Sequence, residues 1–237
     1  MFNIWMVEFH ILKKKYNHIG KIVVIIDVLR ASSTINTILY NGAEFVKPIE
    51  TLEGCKKFRD EGYIVMAERM GKKVEGFDYG NSPTKIKNNQ FFERKVAIVT
   101  SNGTNAILKT KKSKISLIGS FLNMGMIIDY INKEKKDTLL LCSGWKGSRN
   151  LEDTLCAGGI ISGLKNFKIN SDTGLIAKEL YESSKDNILE SMMKSSHAKR
   201  LSSYNNITDI KFCSEKNSQP IDDLLPNWNK ETVLQQK

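Results

Sequence analysis

Residues 21–40 read KIVVIIDVLRASSTINTILY, and they contain the clearest structural pattern in the chain. The first six residues are almost all β-branched and apolar, which is typical of a strand buried on both faces. Ala31–Tyr40 then has helical spacing, with Ile35, Ile38 and Leu39 on one side. A buried strand that leads directly into a helix is typical of a parallel α/β sheet.

The same alternation of apolar runs and longer mixed segments continues along the chain. Strands are predicted at Lys21–Ile26, Glu44–Pro48, Tyr63–Ala67, Lys95–Val99, Ser116–Ile118 and Thr138–Leu141. Helices are predicted at Ala31–Tyr40, Thr51–Gly62, Asn102–Lys109, Asn123–Asn132 and Leu151–Leu164, and within Ile188–Leu201. This order predicts a mainly parallel sheet with helices on both faces. The length of 237 residues fits one large domain over residues 1–237, or less readily two small ones.

Composition narrows the class of protein. Apolar residues make up 41 % of the chain, enough for a buried core, and no apolar run approaches the roughly 18–20 residues of a membrane helix. Met1–His10 lacks a basic flank and a small-residue cleavage site, so we predict no signal peptide and a cytoplasmic location. The four cysteines are far apart and form no Cys-x-x-Cys pair, which indicates reduced, packed thiols rather than a zinc site.

The net charge of +10 suits a nucleic acid, an anionic membrane surface or a small anionic substrate. The excess lysines are dispersed, apart from short clusters at Lys13–Lys15 and Lys109–Lys114, and no basic stripe contains interleaved aromatic residues. We therefore expect a small anionic phosphate ester as partner, and no nucleic acid or membrane. A homodimer is an expectation that no motif supports.

Ligands of parallel sheets bind beyond the carboxyl ends of the strands, so the residues after each strand are the candidates. Asp27 follows the first strand as a possible metal ligand or base, and Arg30 could bind phosphate in a bidentate manner. Ser32 and Ser33 then open a helix, whose free N–H groups attract anions. The alternative is that Asp27 or a serine only caps this helix.

Four further strand ends have the same polar character. The candidate residues there are Glu68, Arg69, Asn81 and Ser82 after the third strand, Ser101, Asn102, Gly103 and Thr104 after the fourth, Ser120 and Asn123 after the fifth, and Glu152 and Asp153 after the sixth. The two carboxylates could complement a helix dipole or bind Mg²⁺. The other segments could equally be ordinary loops, turns and caps. Their coincidence at one edge of a sheet predicts one shared site.

The ordered motifs IDVLRASSTI, AER…GFDYGNSP, TSNGT, GSFLN and LEDTLCAGG resemble the 2-phosphosulfolactate phosphatase family, as do Ser195–His197 and Asp209–Cys213 near the end. The resemblance covers roughly Ile22 to Pro226. It implies a three-layer α/β/α fold with a largely parallel or mixed central sheet. It also implies Mg²⁺-dependent hydrolysis of 2-phosphosulfolactate to sulfolactate and phosphate, in many members within coenzyme M biosynthesis. The chain departs from the pattern at Ala67, Met70, Lys72, Asn150 and Ala198.

Signatures of three common phosphatase mechanisms are missing from the sequence. No second Asp lies two residues after Asp27, no cysteine begins a Cys-x5-Arg motif, and Arg-His-Gly is absent. We therefore expect metal-assisted attack of water, with Asp27 and Arg30 as catalytic residues. Mg²⁺ would be held by carboxylates drawn from Asp27, Glu68, Glu152 and Asp153, and Arg30 and Arg69 would bind the anionic groups. Covalent attack by Asp27, another small phosphorylated acid as substrate, and anion binding without turnover remain open.

Overall fold

The computed structural model describes residues 1–8, 18–86, 88–100, 102–110, 113–145, 148–204, 206–219, 227–228 and 234–235. Ser101 and the Lys13–Lys15 cluster, both singled out from the sequence, lie outside these described residues. The strands are β1 Phe2–Glu8, β2 Ile22–Ile26, β3 Phe45–Pro48, β4 Ile64–Arg69, β5 Lys72–Lys73, β6 Lys95–Val99, β7 Ile115–Gly119, β8 Thr138–Cys142, β9 Phe167–Ile169, β10 Asn227–Trp228 and β11 Leu234–Gln235. The helices are α1 Ala31–Tyr40, α2 Leu52–Lys57, α3 Asn88–Phe91, α4 Gly103–Lys109, α5 Met124–Glu134, α6 Leu151–Gly163, α7 Asp172–Ser184, α8 Ile188–Met193, α9 Ser196–Ser202 and α10 Ile207–Cys213.

The central sheet has five strands in the order β7-β2-β8-β1-β9, and all of its pairings are parallel. Its middle strands, β2 and β8, are buried along their whole length, as the unbroken apolar run in β2 predicts. One face packs on the helices that follow β7, and the other face packs on α1 and α4. The predicted α/β class with three layers is therefore confirmed.

A second sheet lies on the far side of α1 and α4, in the order β10-β11-β3-β6-β4-β5. Its inner strands β3, β6 and β4 are parallel, and its edge pairings are antiparallel. Val46, Met66 and Ile98 from this sheet join the same core as Ile35 and Ile38 of α1. The sequence pattern did not separate the strands into two sheets, because both sheets are built from similar strand–helix units.

Most predicted elements are found within a few residues of their expected bounds, and the differences have local causes. The predicted helix Thr51–Gly62 ends at Lys57 and continues as turns to Gly62, whose φ of +82° ends the segment. The single helix predicted within Ile188–Leu201 is two helices in the structure. The Ser195 hydroxyl accepts a hydrogen bond from the Ala198 N–H and so caps the start of the second helix, α9. The strands β1 and β9 and the helices α7 and α10 were not predicted.

Two further findings concern the cysteines and the search for membrane-spanning helices. All four cysteines are free and buried, as expected for packed thiols. Among the helices that the structure describes, none is long and apolar enough to cross a membrane.

Candidate active site

A cavity of about 310 Å³ lies where the carboxyl ends of strands from both sheets meet the segment that carries α9. The residues lining it are Asp27, Leu29, Arg30, Glu68, Met70, Asn81, Thr100, Asn102, Trp145, His197, Arg200 and Tyr204. They come from the ends of β2, β4, β6 and β8, the loop after β5, and the chain around α9. Five of the residues predicted from strand ends, Asp27, Arg30, Glu68, Asn81 and Asn102, thus line one cavity.

Asp27 occupies the end of β2 and is 6 % exposed. Its main-chain oxygen accepts a hydrogen bond from Ser32 N at 2.8 Å, and its Oδ1 accepts one from Ala31 N at 3.3 Å. Asp27 therefore accepts two of the first N–H groups at the start of α1, one through its side chain and one through its main chain. The second carboxylate oxygen, Oδ2, accepts no hydrogen bond from a described residue.

Burial raises the pKa of Asp27 to about 6, and the nearby His197 opposes this rise. A Cβ atom at Gly103 would lie 2.9 Å from Asp27 Oδ2 and 2.4 Å from the Ala31 Cβ. The predicted residue Gly103 therefore keeps space beside the carboxylate that a larger residue would fill.

Arg30 lines the cavity, but its charge is already paired. Its Nη1 donates to Asp209 Oδ2 at 2.5 Å, and its Nη2 lies 3.7 Å from Glu68 Oε2. Nη2 also donates to the main-chain oxygen of Gly71 at 3.2 Å. Two carboxylates thus neutralise this guanidinium, so its main role in the structure is to join β2, the β4–β5 hairpin and α10.

Asp153 and Glu152 open α6, and both are fully buried. Asp153 Oδ1 accepts the Val28 N–H at 2.9 Å, and Oδ2 accepts the Gly144 N–H at 3.2 Å. Burial raises the pKa of Asp153 well above its ordinary value, and the charges of Asp27 and Glu152 add to this effect. Asp153 therefore connects the loops that follow β2 and β8, rather than facing the cavity.

Glu152 forms a buried pair with His197. Its Oε1 lies 2.8 Å from His197 Nδ1, whereas its Oε2 is buried and has no hydrogen-bond partner among the described residues. A carboxylate at Nδ1 favours the proton on that nitrogen and leaves Nε2 as the ring nitrogen available to other groups. The carboxylate thus orients an imidazole that lines the cavity.

Trp145 provides an aromatic surface on which two cavity residues pack. The His197 ring is stacked on the Trp145 ring, with centroids 6.4 Å apart and an interplanar angle of 19°. The Arg200 guanidinium carbon lies 4.9 Å from the Trp145 ring centroid. His197 and Arg200 are three residues apart in α9, so they lie on neighbouring positions of one helix face.

Asn81, Thr100 and Asn102 supply neutral polar groups to the cavity. Asn81 is 3 % exposed, and its Oδ1 has no hydrogen-bond partner. Thr100 and the predicted residue Thr104 exchange hydrogen bonds, since Thr104 N donates to Thr100 Oγ1 at 3.0 Å and Thr100 N donates to Thr104 Oγ1 at 2.9 Å. Thr104 is therefore a structural partner of the loop that presents Thr100 and Asn102.

Several polar residues predicted to bind substrate lie outside the cavity lining and already form hydrogen bonds with other described residues. The Ser32 and Ser33 hydroxyls donate to the main-chain oxygens of Ile25 and Val28, so both are used inside the βα unit. Ser82 donates to Asp209 Oδ1 at 2.8 Å.

The same holds for Arg69, Ser120 and Asn123. Arg69 is exposed, and its Nη1 donates to the Glu68 main-chain oxygen. Ser120 and Asn123 hydrogen-bond each other and Asn36 in a buried network. None of these residues is among those lining the cavity in the described part of the chain.

Comparison with known proteins shows the family of the chain. Residues 9–228 match the family described as 2-phosphosulpholactate phosphatase. The chain belongs to this family. It is a family of phosphoric monoester hydrolases, and its members supply the relatives described next.

Three relatives show how far the similarity extends, and each is named "Probable 2-phosphosulfolactate phosphatase". The protein from Thermotoga petrophila is 41 % identical over 192 residues, which are 81 % of this chain and 83 % of the relative. The protein from Clostridium perfringens is 37 % identical over 206 residues, 84 % and 83 % of the two chains. The protein from Synechocystis is 33 % identical over 220 residues, 89 % and 90 % of the two chains.

The structure leaves fewer carboxylate oxygens free for a metal ion than the predicted four-carboxylate site requires. Within the described ranges, no group of three or more His, Cys, Asp or Glu side chains could hold a metal ion. Asp153 uses both oxygens for main-chain N–H groups, and Glu68 accepts the Gly71 N–H at 2.7 Å and faces Arg30. Asp27 Oδ2 and Glu152 Oε2 remain, and Mg²⁺ commonly takes one or two carboxylates plus phosphate oxygens and water.

Sequence reasoning did not select Trp145, His197, Arg200, Thr100 or Tyr204 as site residues. His197 lies in the Ser195–His197 segment that resembles the family, and this was the available signal for it. Arg200 and Tyr204 had none, because they follow no strand and reach the cavity only through the packing of α9. Trp145 follows β8 directly, so attention to aromatic residues at strand ends would have found it.

Proposed function

We propose that this protein is a Mg²⁺-dependent phosphatase that hydrolyses 2-phosphosulfolactate to sulfolactate and inorganic phosphate. The names of its relatives suggest the substrate, and coenzyme M biosynthesis or related sulfonate metabolism is the corresponding setting. One observation carries the proposal: a single cavity brings together the buried carboxylate of Asp27 and the imidazole of His197, which Glu152 orients. Hydrolysis of a phosphate ester uses one group that accepts a proton and one group that donates a proton, and these two side chains can take those roles.

Asp27 is the proposed proton acceptor. In the reaction, a water oxygen bonds to phosphorus while the bond between phosphorus and the ester oxygen breaks. Asp27 takes a proton from this water, and its buried carboxylate, with a pKa of about 6, suits that role near neutral pH. His197 returns a proton through Nε2 to the leaving ester oxygen, while Glu152 at Nδ1 stabilises the charged ring. The reaction balances because the water supplies the hydroxyl group of the released phosphate, and one proton completes the hydroxyl group of the sulfolactate product.

The phosphoryl oxygens need hydrogen-bond donors within the cavity. Asn81 and Asn102 belong to the GFDYGNSP and TSNGT motifs and line the cavity beside Thr100. Neutral donors fixed in a partly buried cavity stabilise developing charge without having to reorganise. These three residues are therefore the proposed phosphoryl contacts of the protein itself.

Glu152 would hold Mg²⁺ through Oε2, and Asp27 would contact the ion through a water molecule, which leaves Asp27 Oδ2 free to accept a proton. The ion would supply neutralisation of the phosphoryl charge. Excess chelator should abolish phosphate release, and added Mg²⁺ should restore it. Mg²⁺ alone should also raise the midpoint of thermal unfolding of the wild type but not of Asp27→Asn. Full activity after removal of divalent ions would contradict this part of the proposal.

Release of inorganic phosphate from purified 2-phosphosulfolactate tests the proposed reaction. Turnover of this ester by the wild type is expected, at a higher kcat/KM than for other small phosphorylated acids. A higher kcat/KM with another acid would reassign the substrate, and binding without any release would indicate an anion-binding protein. Acid-quenched enzyme after turnover of phosphorus-labelled ester should contain no covalent label, whereas a label on Asp27 would assign covalent attack to this residue.

A further inference from the structure

The two arginines that line the cavity, Arg30 and Arg200, are in opposite electrostatic situations. Arg30 is held between Asp209, at 2.5 Å, and Glu68, at 3.7 Å, so it offers little unpaired charge. Its side chain is 2 % exposed, and the Asp209 side chain is 1 % exposed. A bidentate complex of Arg30 with a substrate anion would require this buried pair to separate, which is costly.

Arg200 has no such partner in the part of the chain that the structure describes. It forms no ion pair with any described residue, and its Nε is buried without a hydrogen-bond partner. A buried donor without a partner is unfavourable, and a ligand that supplies an acceptor removes that cost. Arg200 is therefore the cavity arginine whose charge and donors are available to an anion.

The packing of Arg200 fixes its direction without occupying its donors. Its guanidinium carbon lies 4.9 Å from the Trp145 ring centroid, and a stacked guanidinium keeps its N–H groups free in the plane. His197 stacks on the same ring, and both residues belong to α9. A group bound by Arg200 would thus have a fixed position relative to His197, the proposed proton donor.

We propose that Arg200, supported by Trp145, binds the carboxylate or sulfonate of a phosphorylated hydroxy acid, that is, a second anionic group beside the phosphate ester. This assignment rests on the proposed phosphatase function and adds the residue that selects for a doubly or triply anionic substrate. It replaces Arg30 and Arg69, which the sequence suggested for this task. Arg69 is exposed outside the cavity, and Arg30 is paired.

The test compares three esters of secondary alcohols that differ only in added anionic groups. Isopropyl phosphate has none, 2-phospholactate adds a carboxylate, and 2-phosphosulfolactate adds a carboxylate and a sulfonate. For Arg200→Gln, kcat/KM should fall by about 10²-fold for an ester whose second anion Arg200 binds, mainly through KM. With isopropyl phosphate, kcat/KM should stay within about twofold of the wild-type value, since only a lost phosphoryl or structural contact would lower it.

The pattern of loss identifies the bound group. If kcat/KM of Arg200→Gln falls with both 2-phospholactate and 2-phosphosulfolactate, Arg200 binds the carboxylate. If it falls only with 2-phosphosulfolactate, Arg200 binds the sulfonate. Arg200→Lys should recover part of the loss, because charge returns without the planar fork. Lys199→Gln is the matched control, since it removes one positive charge from the neighbouring exposed position and should leave all three esters unchanged.

Two results would overturn the assignment. An equal loss with all three esters would place Arg200 at the phosphoryl group or in folding, and no loss with any ester would remove it from binding. Calorimetric binding of sulfolactate, the proposed product, provides a measurement that needs no turnover. A wild type that hydrolyses none of the esters would refute the phosphatase proposal. Weaker sulfolactate binding by Arg200→Gln than by the wild type would still support the anion site at Arg200. Equal binding by the two proteins would refute that anion site.

Discussion

The ends of β2 and β7 are neighbours in the central sheet, yet they differ in what surrounds them. Each strand is followed by a polar residue and then by a helix or turn. After β2, Asp27 and Arg30 line the cavity. After β7, Ser120 and Asn123 form a capping box and are fully enclosed. One strand end is part of the candidate active site, and the other is part of the scaffold.

The difference comes from what covers each end. Asn217 N and Gln219 N donate to the main-chain oxygens of Phe121 and Leu122, so the chain near residue 218 lies over the end of β7. Thr37 Oγ1 of α1 donates to Gln219 Oε1 at 3.0 Å and closes the same region. Over β2, the chain around α9 leaves a cavity of about 310 Å³. Polar residues at a strand end therefore become available to a ligand only where no other segment uses their hydrogen bonds.

The largest effect on activity should come from Asp27→Asn. We expect kcat to fall at least about 10²-fold, since the variant lacks the proposed proton acceptor and metal-binding charge. The amide oxygen can still accept the Ala31 N–H, so the thermal unfolding midpoint should change little. Asp129→Asn makes the same charge change at an exposed position of α5 and should keep wild-type activity. Near-normal turnover by folded Asp27→Asn would show that the end of β2 is scaffold like that of β7.

At the end of β7, Asn123→Ala should affect stability and not catalysis. The variant leaves the Ser120 N–H, the Ile118 carbonyl and Asn36 Oδ1 without a buried partner, at a cost of about 3 kcal/mol in the free energy of unfolding. Urea unfolding measures this loss, and kcat per folded molecule should stay within about twofold of the wild type, because an intact site leaves the barrier unchanged.

Asn41→Ala is the control for Asn123→Ala, because it removes one half-buried hydrogen bond to the Thr37 carbonyl. Its cost should be at most about 1 kcal/mol. A large fall in kcat for Asn123→Ala at unchanged stability would reverse the roles of the two strand ends.

The end of β1 is a third strand end to compare with those of β2 and β7, and the pH dependence of protein stability tests its surroundings. Glu8 is 1 % exposed, and neither carboxylate oxygen has a hydrogen-bond partner among the described residues. Burial raises the pKa of Glu8 from its ordinary value of 4.5 to about 7, and Arg149, whose Nε lies 3.6 Å from Oε1, opposes the rise. Because the folded state binds the proton more tightly, this contribution to stability is present below pH 4.5 and is lost as pH rises through 7.

Glu8→Gln should remove this dependence. Between pH 5 and pH 8, the wild type should lose about 2 kcal/mol of unfolding free energy relative to Glu8→Gln. Urea unfolding of both proteins at several pH values measures the difference. If the difference in unfolding free energy between the two proteins does not change with pH, Glu8 is charged in the folded protein and its charge is balanced by a neighbouring group. The end of β1 would then resemble neither the end of β2 nor the end of β7.

Much of the fold and part of the site were predictable from the chain alone. The run KIVVII favours a strand buried on both faces, and the alternation after it indicates a parallel sheet with helices on both sides, as the structure confirms. β1 was missed because its outer residues are only partly buried and its apolar pattern is weak. Asp27 was identifiable because it ends the most strongly patterned strand.

What the sequence determined by itself was the order of strands and helices and the presence of acids and small polar residues at their ends. These properties depend on backbone preferences and on the burial of near neighbours, which short stretches encode. Only the tertiary structure decided which strand ends stay open, that Asp209 pairs with Arg30, and that α9 brings His197 and Arg200 onto Trp145. Those contacts join residues 52 to 179 positions apart, so their energies depend on the whole packed chain rather than on any local pattern.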